Sequence, residues 1–208
     1  MKRADLFHPR IFSDHDWAEG YYKRNAKNIE QVGKRFVQLL KKSGFKEGKI
    51  LDTGCGFGAV AIEVAKCFEK AEIVGIDLGE PLLELGRSLA EKNGVADRID
   101  FSRGDVHHLD YESGSFDVVI NTFMMHVVED PVLMLNEMER VTGKQGRIMI
   151  TDLRRIWLAV AVRKLKTAFT LEEGKEVISK SQIRPGNYSR GPFWWDYLAG
   201  MQPAASDS

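Results

Sequence analysis

Three carboxylates stand at comparable places in this chain, each beside a glycine or at the end of a β-prone run: Asp52, Asp77 and Asp105. The first opens the stretch LDTGCGFG (51–58), where Gly54, Gly56 and Gly58 follow at every second position. Glycine is needed where backbone takes positive φ or lets a ligand approach closely. A strand followed by glycines and a helix start aims several amide N–H groups at one spot, which suits a nucleotide or another polar cofactor. Gly54, Gly56 and Ala59 also satisfy the dinucleotide pattern GxGxxG/A, so the loop alone leaves a nicotinamide dinucleotide and S-adenosylmethionine both open.

The surroundings discriminate. Asp52, immediately before the glycines, can accept from an ammonium group or order water around it, and it would repel a pyrophosphate. Asp77 lies nineteen residues beyond Gly58, where an acid can take both hydroxyls of a ribose, a feature that dinucleotide enzymes share. Gly104-Asp105 follows a third β-prone run; its carboxylate can accept from an adenine amino group while the backbone of Val106 addresses the ring. Three acids at successive strand ends favour a cationic cofactor, S-adenosylmethionine.

The elements that must position these groups are legible as alternation. Residues 14–42 carry Ile29, Val32, Phe36, Leu39 and Leu40 at helical spacing, with Ser43-Gly44 as a stop. Short β-like runs follow at Lys49–Asp52, Glu72–Asp77, Arg98–Arg103, Phe116–Asn121 and Arg147–Asp152, separated by helical stretches near 59–69, 80–92 and 130–142. Repeated strand–helix–strand units predict right-handed crossovers and a mostly parallel sheet with helices on both faces. Asn93-Gly94 ends one helix, Asp130-Pro131 opens another, and Thr170–Glu173 has the form of a capping box. Arg154–Lys166 is expected to be helical, and IRPGNYSRGPFWWDYLAG (183–200) to be a hairpin that adds an antiparallel strand.

Composition narrows the class. The 208 residues allow one sizeable core, read as an N-terminal helical extension (1–45) on a domain spanning 46–202. Thirty basic and thirty acidic residues leave no net charge, which gives no argument for nucleic acid or an anionic membrane as partner. Cys55 and Cys67 have neither a CxxC nor a zinc-ligand spacing, so a reducing, cytoplasmic setting is expected and no metal. No signal-peptide core is evident in MKRADLFHPRIF, and no run approaches eighteen apolar residues. No stable membrane insertion is expected.

Taken together, ILDTGCGFG (50–58), IVGIDLGEPLLELG (73–86), RGDVHHL (103–109), SFDVVINTFMMHVVEDP (115–131) and LNEMERVTGKQGRIMITD (135–152) resemble the class I SAM-dependent methyltransferases, in particular the small-molecule branch of the ubiquinone and menaquinone biosynthesis type. The resemblance implies a Rossmann-like, doubly wound α/β sheet of seven strands with the last antiparallel. It implies transfer of a methyl group from S-adenosylmethionine to a small, partly apolar acceptor at O, N or C, with S-adenosylhomocysteine as by-product. It also implies that Asp52, Gly54, Gly56 and Gly58 line the methionine part, Asp77 the ribose, Asp105 and Val106 the adenine, and Asn121 the rim nearest the sulfonium, with Cys55, Leu78 and Gly104 as further cofactor contacts. In similar enzymes a tyrosine of the N-terminal helix reaches the cofactor or closes over the substrate, which points to Tyr21 and Tyr22 here.

Methyl transfer is an in-line displacement at a carbon already activated by positive sulfur. The protein must align the reactants, exclude water and remove a proton where the acceptor has one to lose. His126, just past the fourth strand, is the candidate general base; the alternative is a histidine packed under its loop and bonded to backbone. Many relatives carry His-His at this place, and here Val127 follows. His107-His108 read as solvated loop residues, and Cys55 has no evident partner base. The segment RRIWLAVAVRKLK (154–166) reads as core, pocket lid or membrane-surface contact, with Arg154 and Arg155 either facing an anionic acceptor or solvated. Two other readings stay open: an NAD(P)-dependent oxidoreductase, which lacks a Tyr-x-x-x-Lys or similar constellation, and a non-catalytic protein that binds S-adenosylmethionine or S-adenosylhomocysteine. Oligomeric state is not readable from the chain.

Overall fold

The computed structural model describes residues 13–156 and 167–201. The apolar run 157–162 and the polar tail PAASDS lie outside the described residues, as does most of the helix expected over 154–166. The elements run α1 (His15–Lys42), β1 (Gly48–Thr53), α2 (Ala59–Cys67), β2 (Ala71–Asp77), α3 (Glu80–Lys92), β3 (Ile99–Arg103), β4 (Phe116–Thr122), α4 (Pro131–Val141), β5 (Thr142–Leu153), α5 (Leu171–Ser179), β6 (Gly186–Arg190) and β7 (Trp194–Ala199).

Local chemistry accounts for the ends. Asp14 caps α1 by accepting from Trp17 N at 3.0 Å. Asp130 caps α4 by accepting from Val132 N and Leu133 N, with proline in the first turn. In α5 the capping box is complete, because Thr170 accepts from Glu173 N while Glu173 accepts from Thr170 N.

The seven strands form one sheet in the order β3-β2-β1-β4-β5-β7-β6. Pairing is parallel from β3 through β5, while β7 runs antiparallel to both β5 and β6. The tail is therefore the hairpin that its turn residues indicate. One face of the sheet packs Ile50, Val118, Ile120 and Met149 against Phe36, Val37 and Leu40 of α1 and Val60, Ala61 and Val64 of α2. The other packs Leu51, Val119, Ile148, Ile150 and Trp195 against Met134, Leu135 and Met138 of α4 and Ile178 of α5. Each such aliphatic side chain, fully buried, contributes about 1.5–3 kcal/mol.

Three expectations need correction. β5 begins at Thr142 rather than Arg147, because Phe116 already pairs with Thr142 and the register shifts before Val118 meets Arg147. Arg154 is not helical. It makes an isolated parallel bridge with Phe169 and sends Nη2 to the Pro192 carbonyl at 2.9 Å. Arg155 is paired with Glu173 rather than solvated. Among the described residues no helix is long and apolar enough to cross a membrane.

Candidate cofactor and catalytic site

The glycine loop joins β1 to α2 at the carboxyl end of the sheet, where the strand order reverses between β1 and β4. Gly54 N and Cys55 N both donate to Ile76 O, at 2.8 and 2.9 Å, which ties the loop to β2. Gly58 has φ 72°, and a Cβ there would lie 2.2 Å from the Phe101 ring. Only glycine satisfies both conditions. At Gly56, φ 57°, a Cβ would meet nothing within 4 Å, so this residue leaves its space to the cleft.

The cleft is lined by Asp52, Gly54, Gly56 and Phe57 from β1 and the loop, by Tyr21 from α1, and by Thr122 and Phe123 from the end of β4. Asp52 is 1% exposed, and neither carboxylate oxygen has a hydrogen-bond partner. Burial, with the charge of Asp77 nearby, pushes its carboxyl up to about 7. Asp77 Oδ2 accepts from Gly56 N and Oδ1 from Gly79 N, both at 2.9 Å. Burial raises the Asp77 carboxyl, although the backbone N–H groups of Gly79, Gly56 and Leu78 pull the other way. A carboxylate has about four lone-pair sites, so acceptor capacity remains for a ligand. Tyr21 is stacked on Trp17 at 5.2 Å and edge-on to Phe57 at 5.9 Å; Tyr22 meets Phe57 edge-on at 5.2 Å. Burial and the Asp77 charge push the Tyr21 hydroxyl up to about 12. The N-terminal half of α1 is thus held over the loop by aromatic packing.

Other expected site residues fall differently. Asn121 is fully buried rather than at a rim: Nδ2 donates to Thr53 O at 3.1 Å and to Thr53 Oγ1 at 3.0 Å, while Oδ1 has no partner. Its neighbour Thr122 lines the cleft, with a buried, unpartnered Oγ1. Strand alternation decides this, since Asp52 pairs with Ile120 and shares its face with Thr122, whereas Thr53 pairs with Asn121. Phe123 then takes φ 55°, rare for a residue other than glycine, while its N–H donates to Thr151 O. Asp105 is exposed, and its Oδ1 accepts from His107 N at 2.9 Å and lies 2.8 Å from His107 Nδ1. Partial burial would raise that carboxyl, but the His107 contacts outweigh it and hold it below its usual range. His107 also meets Asp130 N at 3.2 Å, so it joins two loops and is not merely solvated. Gly104 N donates to Asp77 O at 3.2 Å, and Val106 is buried. Burial, then the charges of Asp52 and Asp77, hold the Cys55 thiol well above its ordinary range, which disfavours a thiolate there.

His126 is 5% exposed, and its Nδ1 lies 2.5 Å from Oδ1 of the fully buried Asp152 at the end of β5. Its partner is therefore a carboxylate, not only backbone. Leu153 N donates to the same Asp152 oxygen at 2.8 Å, and Oδ2 has no partner. Sequence reasoning missed Asp152 and Thr122. For Asp152 the signal was present: it is another acid ending a β-run, as Asp52 and Asp77 do.

A family model described as "Methyltransferase domain" matches residues 45–196. This chain belongs to that methyltransferase family. The chain is 35% identical over 147 residues to the ubiquinone/menaquinone biosynthesis C-methyltransferase UbiE of Bdellovibrio bacteriovorus, covering 69% of this chain and 61% of that protein. It is 31% identical over 132 residues to the malonyl-[acyl-carrier protein] O-methyltransferase of Legionella pneumophila, covering 64% and 45%. The chain thus spans about half the length of the curated relatives it matches. A SAM-dependent methyltransferase from Aquifex aeolicus has a similar fold, with TM-score 0.67 and 20% identity over 77% of this chain and 86% of that one.

The cofactor that this methyltransferase family implies is S-adenosylmethionine, and the residues present fit it. An unpartnered buried carboxylate suits a cationic ligand. A second carboxylate, fixed by two backbone N–H groups, suits a vicinal diol. The open space at Gly56 belongs to the same cleft as Asp52, and Gly56 N donates to Asp77.

Proposed function

We propose that the protein transfers a methyl group from S-adenosylmethionine to a small-molecule acceptor, with S-adenosylhomocysteine as by-product. The observation that carries this reading is Asp52: both of its oxygens are buried without a donor, beside a glycine loop at the switch point of the sheet. Residues 46–202 form the cofactor domain and residues 1–45 its cap. When bound, the cofactor supplies a methyl group on positive sulfur.

The roles of the chain's own residues follow from their chemistry. Asp52, Gly54, Cys55, Gly56 and Gly58 hold the methionine part, Asp77 and Leu78 the ribose, and Gly104, Asp105 and Val106 the adenine. Asp105 would have to turn from His107 to accept from an adenine amino group. Asn121 serves from below, through Thr53, and Tyr21 and Tyr22 close the cleft against water. His126 removes the acceptor's proton at Nε2, since Asp152 at Nδ1 fixes the tautomer and stabilises the imidazolium that forms.

The relatives are named for a carbon and an oxygen acceptor. A proton-removing dyad favours an acceptor that surrenders a proton, such as a hydroxyl, and the apolar run 157–162 favours a partly apolar one. We place the reaction in the cytoplasm, with no nucleic-acid partner. The test is to incubate the pure protein with methyl-labelled S-adenosylmethionine and an extract of its own cells, then identify the labelled product by mass. Label in a small molecule is expected. Calorimetry that finds tight NADH binding and no response to S-adenosylhomocysteine overturns the reading.

A further inference from the structure

Asp52 is placed to bind a cation, and among the described residues no donor reaches either of its oxygens. It lies one residue before the end of β1, on the face of the sheet covered by α1, lines the cleft, and has no donor on either oxygen. Thr122 Oγ1, in the same cleft, is likewise unpartnered. Among the described residues the titratable groups around it are Asp77 from β2, Cys55 from the loop and Tyr21 from α1, all acids. Arg87 of α3, whose charge acts on Cys55, is engaged by Glu80 and the Phe101 carbonyl. A buried carboxylate without a counter-charge takes up a proton in preference to remaining ionised.

We propose that Asp52 carries a proton in the ligand-free protein and releases it to solvent when an ammonium group arrives, so that the amino-acid half of the cofactor is bound by exchanging a proton for a cation. This deepens the S-adenosylmethionine reading and rests on it. In the exchange the carboxyl O–H bond breaks, the proton goes to buffer, and the carboxylate then accepts from the ammonium. The carboxyl's rise to about 7 puts the exchange near neutral pH. Asp77 does not take part, because its oxygens are already fixed by Gly56 N and Gly79 N and face a neutral diol.

Calorimetry in two buffers of different ionisation enthalpy tests this with three ligands: S-adenosylmethionine, S-adenosylhomocysteine and methylthioadenosine, which keeps the nucleoside and lacks the amino acid. Below neutral pH the first two should each release close to one proton, and their affinity should rise roughly tenfold per pH unit before levelling near pH 7. Methylthioadenosine should release none and bind with the same affinity throughout. Asp52→Asn should bind S-adenosylmethionine without proton release; if that variant fails to fold, the wild-type comparison of the three ligands still decides. Binding of S-adenosylmethionine with no proton release overturns the exchange, and so does equal release with methylthioadenosine, which would assign the proton to Asp77. Failure of all three to bind, with the protein folded, overturns the cofactor reading itself.

Discussion

His126 and Asp152, on the loop after β4 and the end of β5, meet at 2.5 Å through Nδ1 and Oδ1 in a buried setting. The carboxylate orients the ring and, in the proposed reaction, would offset the charge that the ring gains on taking a proton. Asp152→Asn keeps the volume and loses the charge. With the acceptor found in the extract experiment, kcat should fall about 100-fold or more, while S-adenosylmethionine affinity by calorimetry stays within about twofold. An unchanged kcat would remove the dyad from catalysis.

Asp77→Ala should weaken S-adenosylmethionine binding by about 1–3 kcal/mol through lost charge-assisted hydrogen bonds. The same carboxylate pins Gly56 N and Gly79 N, so the variant should also unfold at a lower temperature without ligand. Titration calorimetry and thermal melts separate the two effects. Unchanged affinity refutes the ribose role.

The pH dependence of stability carries the signature of Asp52. Its carboxyl rises from 3.8 to about 7 on folding, so the folded state binds the proton more tightly. The stability this contributes is full below about pH 4 and is lost as pH rises through 7. Asp52→Asn, which stays neutral, should therefore gain on the wild type with rising pH, by on the order of a few kcal/mol at pH 8. Melting temperatures at pH 5 and pH 8 check the sign. A constant difference between the two proteins would show that Asp52 does not titrate in this range.

Arg35 of α1 grips β7: Nη1 donates to Asp196 Oδ2 at 2.9 Å, and Nη2 to Asp196 Oδ1 at 2.5 Å and to Thr151 Oγ1 at 2.6 Å. Asp196 is buried, with Ser189 as a further donor. Arg35→Ala should cost about 2–4 kcal/mol in urea unfolding, because it leaves that carboxylate underpaired. Arg35→Lys should recover little of the loss, since an ammonium cannot span both oxygens as the guanidinium does.

What the chain states locally it states well. The glycine loop, the cap at Asp130, the capping box at Thr170 and the closing hairpin each depend on a few adjacent residues, and each appears where those residues stand. The alternation of strands and helices likewise follows from periodicity within each segment. Asp52 and Asp77 were legible as a pair because both end strands beside glycines.

Tertiary structure decided what depends on register between distant segments. Sequence reasoning put Asn121 at the rim, but pairing of Asp52 with Ile120 and of Thr53 with Asn121 buries it and brings Thr122 to the cleft. Asp105 sits where an adenine contact is expected, yet the turn folds His107 back onto it. His126 was visible as a candidate base and Asp152 as another acid ending a β-run, but their pairing was not, because Asp152 stands on a different strand. A side chain's face alternates with every residue along a strand, so a shift of one position would separate such pairs. Sequence by itself therefore determined the glycine loop and the elements around it. Only packing of those elements decided which carboxylate meets a backbone N–H, which meets a histidine, and which is left with no partner.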